Sequence, residues 1–157
     1  MQPIEMARVM CEEVFGEGKT ERMRELLADG FVSNDPVRGK IDRAGLEQNV
    51  QTYRRAFPDM RMEVVDSIAS GDKVVVRWRA TGTHKGELFG VSPTNRRVTT
   101  EGMTEMRIAN GKIVEAWEQW NAFGLMRDLG ALPDAASRHA APNGGGARTT
   151  SPQESRR

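Results

Sequence analysis

The sequence predicts an α+β fold, a conical α+β barrel in which a curved, mostly antiparallel sheet wraps around N-terminal helices. Three observations carry this. Apolar residues in the first third recur at three- and four-residue steps, the period of a helix face. Later segments rich in β-branched and aromatic residues come in pairs around short turns. Alternating strand–helix units, which would give a doubly wound parallel sheet, are absent.

In chain order, Ile4, Ala7, Cys11 and Val14 mark the first helix and Met23, Leu26 and Leu27 the second, with Gly16 and Gly18 between them. A third begins after Asp42, a residue type that caps helix starts. It carries Leu46, Val50, Tyr53 and Phe57 on one stripe before Pro58 stops it. Residues 60–69 and 74–81 flank Ser70-Gly71-Asp72-Lys73, and residues 98–108 and 113–120 flank Ala109-Asn110-Gly111-Lys112. Both connections are hairpin signals. A short helix over 122–129 ends at Gly130.

The chain has 157 residues with 38% hydrophobic and 29% charged side chains, the size of one domain. After Pro133 the composition turns to small, polar and glycine residues, including Gly144-Gly145-Gly146. The reading is therefore one domain over 1–133 and a disordered tail over 134–157. Net charge is +1, which leaves no basic footprint for a phosphate backbone and argues against nucleic-acid binding. The single cysteine, Cys11, cannot form an intramolecular disulfide and reads as buried packing in a reducing compartment. Met1–Glu5 lack the basic-then-apolar order of a secretory signal, and no stretch has the apolar length of a membrane span. The expected location is cytoplasmic.

The last hairpin holds the candidate chemistry, and its facing depends on the turn. A two-residue Asn110-Gly111 turn sets Trp117 opposite Thr104, whereas a three-residue loop sets it opposite Met103. The three-residue loop sorts the side chains better. One face then holds Met103, Glu105, Arg107, Ile113, Glu115, Trp117, Gln119 and Asn121, and the other Thr104, Met106, Ile108, Val114, Ala116 and Trp120. The polar face suits the base of a pocket; it reads equally as a solvated ion-pair cluster. The apolar face suits burial against a second copy, which predicts a homodimer.

The expected cavity is lined by Tyr53, Phe57, Trp78, Phe89 and Trp117, with Asn34, Glu105, Glu115 and Asn121 as its polar base. His84, in a loop, reads as a hydrogen-bonding surface residue. Asp35, Asp59 and Asp66 are scattered and no second histidine stands at ligand spacing, so no metal site is expected. Ser33 has no neighbouring histidine to act as its base. No glycine-rich phosphate-binding pattern occurs, so no nucleotide cofactor is expected.

Several blocks together resemble the SnoaL-like polyketide cyclases: Phe31-Val32-Ser33-Asn34-Asp35-Pro36, Phe57-Pro58-Asp59-Met60, Ser70-Gly71-Asp72-Lys73-Val74, Gly82-Thr83-His84-Lys85-Gly86, and Gly111-Lys112-Ile113-Val114-Glu115-Ala116-Trp117 followed by Leu129-Gly130. The resemblance spans about residues 4–132. It implies a barrel of the nuclear-transport-factor-2-like kind around an apolar cavity, a polycyclic aromatic polyketide as substrate, and intramolecular aldol ring closure without metal or cofactor.

The family acid expected four residues after the tryptophan falls on Asn121, and Asn34 stands where a histidine is common. These departures leave a change of chemistry open: hydroxylation of an anthracycline-type polyketide with a reductase and dioxygen, or a non-catalytic binding module. In the hydroxylase reading Arg107 holds an oxyanion and Glu105 moves the proton, with Asn121 and Asn34 as the other catalytic candidates. Tyr53, Phe57, Trp78, Phe89, Glu115, Trp117 and Gln119 are the candidate substrate contacts.

Overall fold

A computed structural model of the chain describes residues 1–132; the expected tail lies outside them. Helix α1, Pro3–Arg8, opens with proline in its first turn, where the missing N–H has no helical partner to lose. It runs into a wider π-helical stretch, Val9–Phe15, that buries Met10, Cys11 and Val14. Helix α2 is short, Met23–Leu26. Helix α3, Arg43–Ala56, starts where the Asp42 carboxylate accepts the Gly45 N–H at 2.8 Å. It ends as Phe57, the residue before Pro58, leaves helical geometry.

Six strands form one open sheet: β1 Leu27–Asp35, β2 Gly39–Ile41, β3 Arg61–Ser70, β4 Lys73–Thr83, β5 Arg97–Ala109 and β6 Lys112–Trp120. Their order is β2-β1-β6-β5-β4-β3. All neighbours are antiparallel except β1 and β6, which run parallel. Helix α4, Ala122–Asp128, follows β6. The α+β class stands, with an open sheet rather than a closed barrel.

The core lies between the helices and one sheet face, with Leu26, Leu46, Val50, Val74, Val76 and Ile113 at 2% exposure or less. Each such side chain contributes about 1.5–3 kcal/mol relative to an exposed one. That requirement decides which sheet face turns inward. In the last hairpin Asn110 and Gly111 both have positive φ, 51° and 71°, the two-residue type I′ turn. Ile108 pairs with Ile113, but Arg107 then pairs with Glu115, so Val114 is an extra residue in β6. The turn and the bulge together put Trp117 opposite Glu105, neither of the expected registers.

The alternation of the two faces survives this shift, except that Ile113 joins the core. Their assignment is reversed. Met106 and Ala116, expected at a dimer interface, are 4% exposed in the core, Trp120 and Ile108 pack against the buried clusters, and Val114 lies at the bulge. The apolar face is the one the helices cover, because only its burial gains hydrophobic free energy.

His84 is a second correction. It is buried, with its ring 5.5 Å from that of Phe57. Its Nδ1 accepts the Thr94 N–H and meets the Thr94 hydroxyl, while its backbone bonds Arg96 and Asn95. The histidine therefore closes the loop between β4 and β5 from inside, where a surface residue was expected.

Candidate active site

Between the helices and the inward sheet face runs an apolar cleft of about 90 Å³. Tyr53 of α3, Phe57 just after it and Trp78 of β4 line it as expected from their stripe and strand. Trp78 is fixed by donating its indole N–H to the Thr104 hydroxyl at 3.0 Å. Tyr53 meets Trp120 edge to face at 6.0 Å and Phe89 at 6.1 Å. Phe89 sits beside the cleft, 44% exposed and with φ 50°, a conformation a bulky residue rarely adopts. Met10, Met60, Met62 and Met106 complete much of the wall. A cavity of ~150 Å³ takes benzene, so a guest larger than one ring would fit only if side chains moved, and methionine is the residue type that yields most easily.

The polar groups of the cleft are not those expected. Glu105, Arg107, Glu115, Trp117 and Gln119 occupy the outer sheet face, where Lys73 pairs with Glu105 at 2.5 Å and Arg107 with Glu115 at 3.5 Å. Lys73 also lies 5.8 Å from the Trp117 ring centre, and Trp117 is 39% exposed. The solvated ion-pair cluster is the arrangement found. Asn34 points away from the cleft as well, donating to the Ala116 carbonyl at 3.0 Å. Asn121 caps α4 by accepting the Gly124 N–H at 2.9 Å. The strand residues among them alternate with residues that face inward, and Asn121, just past the end of β6, is held by its cap.

The inward residues are Ser33 and Asp35 on β1, Asn49 on α3, Thr104 on β5 and Glu118 on β6. Glu118 is the group the sequence reading passed over, although a signal was present. Ala116, Glu118 and Trp120 share the apolar face, and one carboxylate there has no solvent reason to be present. Protein surrounds Glu118, yet part of its surface stays open to the cleft. Burial pushes its pKa from the usual carboxylate value up to about 7, the neighbouring charge of Asp35 adds to the rise, and a hydrogen bond from the Ser33 hydroxyl at 3.0 Å opposes it. Such a carboxyl gains and loses a proton near neutrality. The Tyr53 hydroxyl is pushed upward by burial and then by the charges of Asp35 and Glu118, so it stays a donor. Cys11, also at the cleft, has its thiol pushed up to about 12, mainly by burial, and is inert.

Among the described residues no group of three His, Cys, Asp or Glu is placed to hold a metal, and no helix is long and apolar enough to cross a membrane.

The family model for SnoaL-like polyketide cyclases matches residues 5–129. The chain belongs to this family. A curated relative, nogalonic acid methyl ester cyclase from Streptomyces nogalater, is 29% identical over 129 residues, covering 74% of this chain and 89% of that enzyme. Among solved structures, this SnoaL-like chain is similar to AclR, a candidate hydroxylase from Streptomyces galilaeus, at 28% identity and a TM-score of 0.73, covering 89% of this chain and 96% of AclR. It is also similar to IdmH, a candidate polyketide cyclase from Streptomyces antibioticus, at 32% identity and a TM-score of 0.72, covering 83% of this chain and 99% of IdmH.

Proposed function

We propose that the protein closes a ring of a polycyclic aromatic polyketide by an intramolecular aldol reaction, with Glu118 as its acid/base group. The observation that carries this is the carboxyl of Glu118 in an apolar, aromatic-lined cleft with a pKa of about 7. As the carboxylate it removes a proton from carbon next to a substrate carbonyl. The resulting enolate carbon bonds to a second carbonyl carbon, and the alkoxide formed takes a proton from Glu118. Substrate and product are isomers, and the protein ends as it began. Tyr53, with its hydroxyl held protonated, donates a hydrogen bond to the developing oxyanion. Tyr53, Phe57, Trp78 and Phe89 hold the ring system.

The experiment is incubation with the methyl ester of an anthracycline-type precursor, read by mass and chromatography. A product of unchanged mass, formed by the wild type and not by Glu118→Gln, supports ring closure. The similarity to AclR favours one second reading, hydroxylation of such a polyketide by dioxygen with electrons from a separate reductase; a gain of one oxygen, dependent on the reductase, selects it. Binding without conversion in either assay selects a binding module. A cytoplasmic setting belongs to the same proposal and rests on the unpaired Cys11.

The expected homodimer moves to the outer face, where Met103 and Trp117 are exposed. Light scattering that finds a dimer in the wild type and a monomer in Trp117→Glu supports it; a wild-type monomer at micromolar concentration refutes it.

A further inference from the structure

Two carboxylates, not one, face the cleft, and they come from neighbouring strands. Strands β1 and β6 are parallel, with Val32 beside Glu115, Ser33 beside Ala116 and Asn34 beside Trp117. Asp35 and Glu118 are the next residues of the two strands beyond the last pair of that ladder, and both line the cleft. The charge of Asp35 reaches Glu118 and opposes its ionisation, and two acids facing one site largely closed to water do not ionise independently.

Their surroundings are unequal. The Asp35 side chain accepts the N–H groups of Val37 and Arg38 on one oxygen, each at 2.7 Å, and the Asn49 amide on the other at 3.0 Å. Asn49 is itself oriented, since its own carbonyl accepts from the Arg38 guanidinium at 2.8 Å. Among the described residues Glu118 has the Ser33 hydroxyl alone. Donors stabilise an anion, so whenever the pair holds one proton the negative charge resides on Asp35 and the proton on Glu118. The other titratable groups around Glu118 are Cys11 from the π-helical stretch and Tyr53 from α3, both held neutral, with Arg38 beyond Asn49. Strand β5 faces it with Thr104 and Met106, which do not titrate.

We propose that Asp35 is a positioning residue for Glu118: clamped by Asn49 and the turn after β1, it is the fixed anion beside which Glu118 takes up the substrate proton and gives it back within each turnover. This rests on the reading of Glu118 as the acid/base group, but its test does not need turnover. Infrared difference spectroscopy of the carboxyl stretch follows the titration of Glu118 in the free protein, identified by its disappearance in Glu118→Gln.

In Asp35→Asn the Glu118 titration moves to lower pH by about one unit, a tenfold change in acid constant, and the corresponding limb of the kcat/KM profile moves with it. Because an amide at 35 faces the Asn49 amide, a second variant guards against misfolding. The double exchange Asp35→Asn with Asn49→Asp restores a donor–acceptor pair and the net charge but moves the anion to position 49, against Arg38. It folds with the titration still lowered. A Glu118 titration unmoved in Asp35→Asn, or restored to the wild-type position by the double exchange, overturns the proposal while leaving Glu118 as the acid/base group. Full activity of Glu118→Gln overturns the reading of Glu118, while the spectroscopic shift still reports on the pair.

Discussion

Glu105 stands directly across from Trp117 on adjacent strands, and Lys73 reaches both, as an ion pair with the first and over the ring of the second. The cluster is on the outer face of the sheet, partly in water, where ion pairs contribute about 0–1 kcal/mol. Glu105→Ala and Arg107→Ala are therefore expected to leave kcat/KM within about twofold, and urea unfolding within about 1 kcal/mol, of the wild type. A hundredfold loss of activity in either would return the chemistry to the outer face.

Glu118 is the opposite case. Removing a positioned acid/base group costs about 10²–10⁴ in rate, so Glu118→Gln is expected to lose that much kcat with substrate still bound. The wild-type kcat/KM profile is expected to have a limb near pH 7, from the raised pKa of this carboxyl, and the residual activity of Glu118→Gln to lack it. Steady-state kinetics across pH 5–9 checks both.

The helices, the two hairpins and, Ile113 apart, which residues of β5 and β6 share a face were legible in the sequence, because periodicity and turn residues are local; the register between the two strands was not, because the bulge at Val114 shifts it. Which face turned inward was not. Polar residues clustered on one face suggested a pocket lining, whereas burial of Met106, Ala116 and Ile113 fixed the other face as the interior. Strands β1 and β2 were unread although they form a hairpin across residues 36–38, because β2 is only three residues long and the other partner of β1 is β6, paired in parallel some 80 residues away. That Asp35 and Glu118 face one cleft was missed for that reason: it depends on that long-range ladder.

The raised pKa of Glu118 also makes stability depend on pH. In the unfolded chain this carboxyl titrates near its ordinary value of 4.5, and in the folded protein at about 7. The folded state thus holds the proton more tightly, and this contribution is fully present below pH 4.5 and lost as pH rises through 7. The 2.5-unit difference amounts to about 3 kcal/mol. Glu118→Gln, which carries no charge to bury, is expected to be more stable than the wild type at pH 8 by up to about that amount, and nearly equal to it at pH 4.5. Urea denaturation at the two values distinguishes them; a variant less stable at pH 8 would mean the carboxylate is better solvated than its position implies.

Trp78, Gly102 and Trp120 lie in one row across β4, β5 and β6, and the missing side chain in the middle lets the two indole groups share the space above it. A Cβ on Gly102 would stand 2.4 Å from the Trp78 ring and 2.6 Å from the Trp120 Cβ. Neither neighbour yields easily, because the Trp78 N–H is committed to Thr104 and the Trp120 Cβ is fixed by its strand. Overpacking of this kind costs about 1–3 kcal/mol. Gly102→Ala is therefore expected to lower the urea midpoint and to swing Trp78 away from Thr104, seen as a red shift in tryptophan emission. Since both indoles form the wall where the ring system rests, KM should rise more than kcat falls. An unchanged emission maximum together with an unchanged KM would mean that the row relaxes elsewhere and that the tryptophans do not set the shape of the cleft.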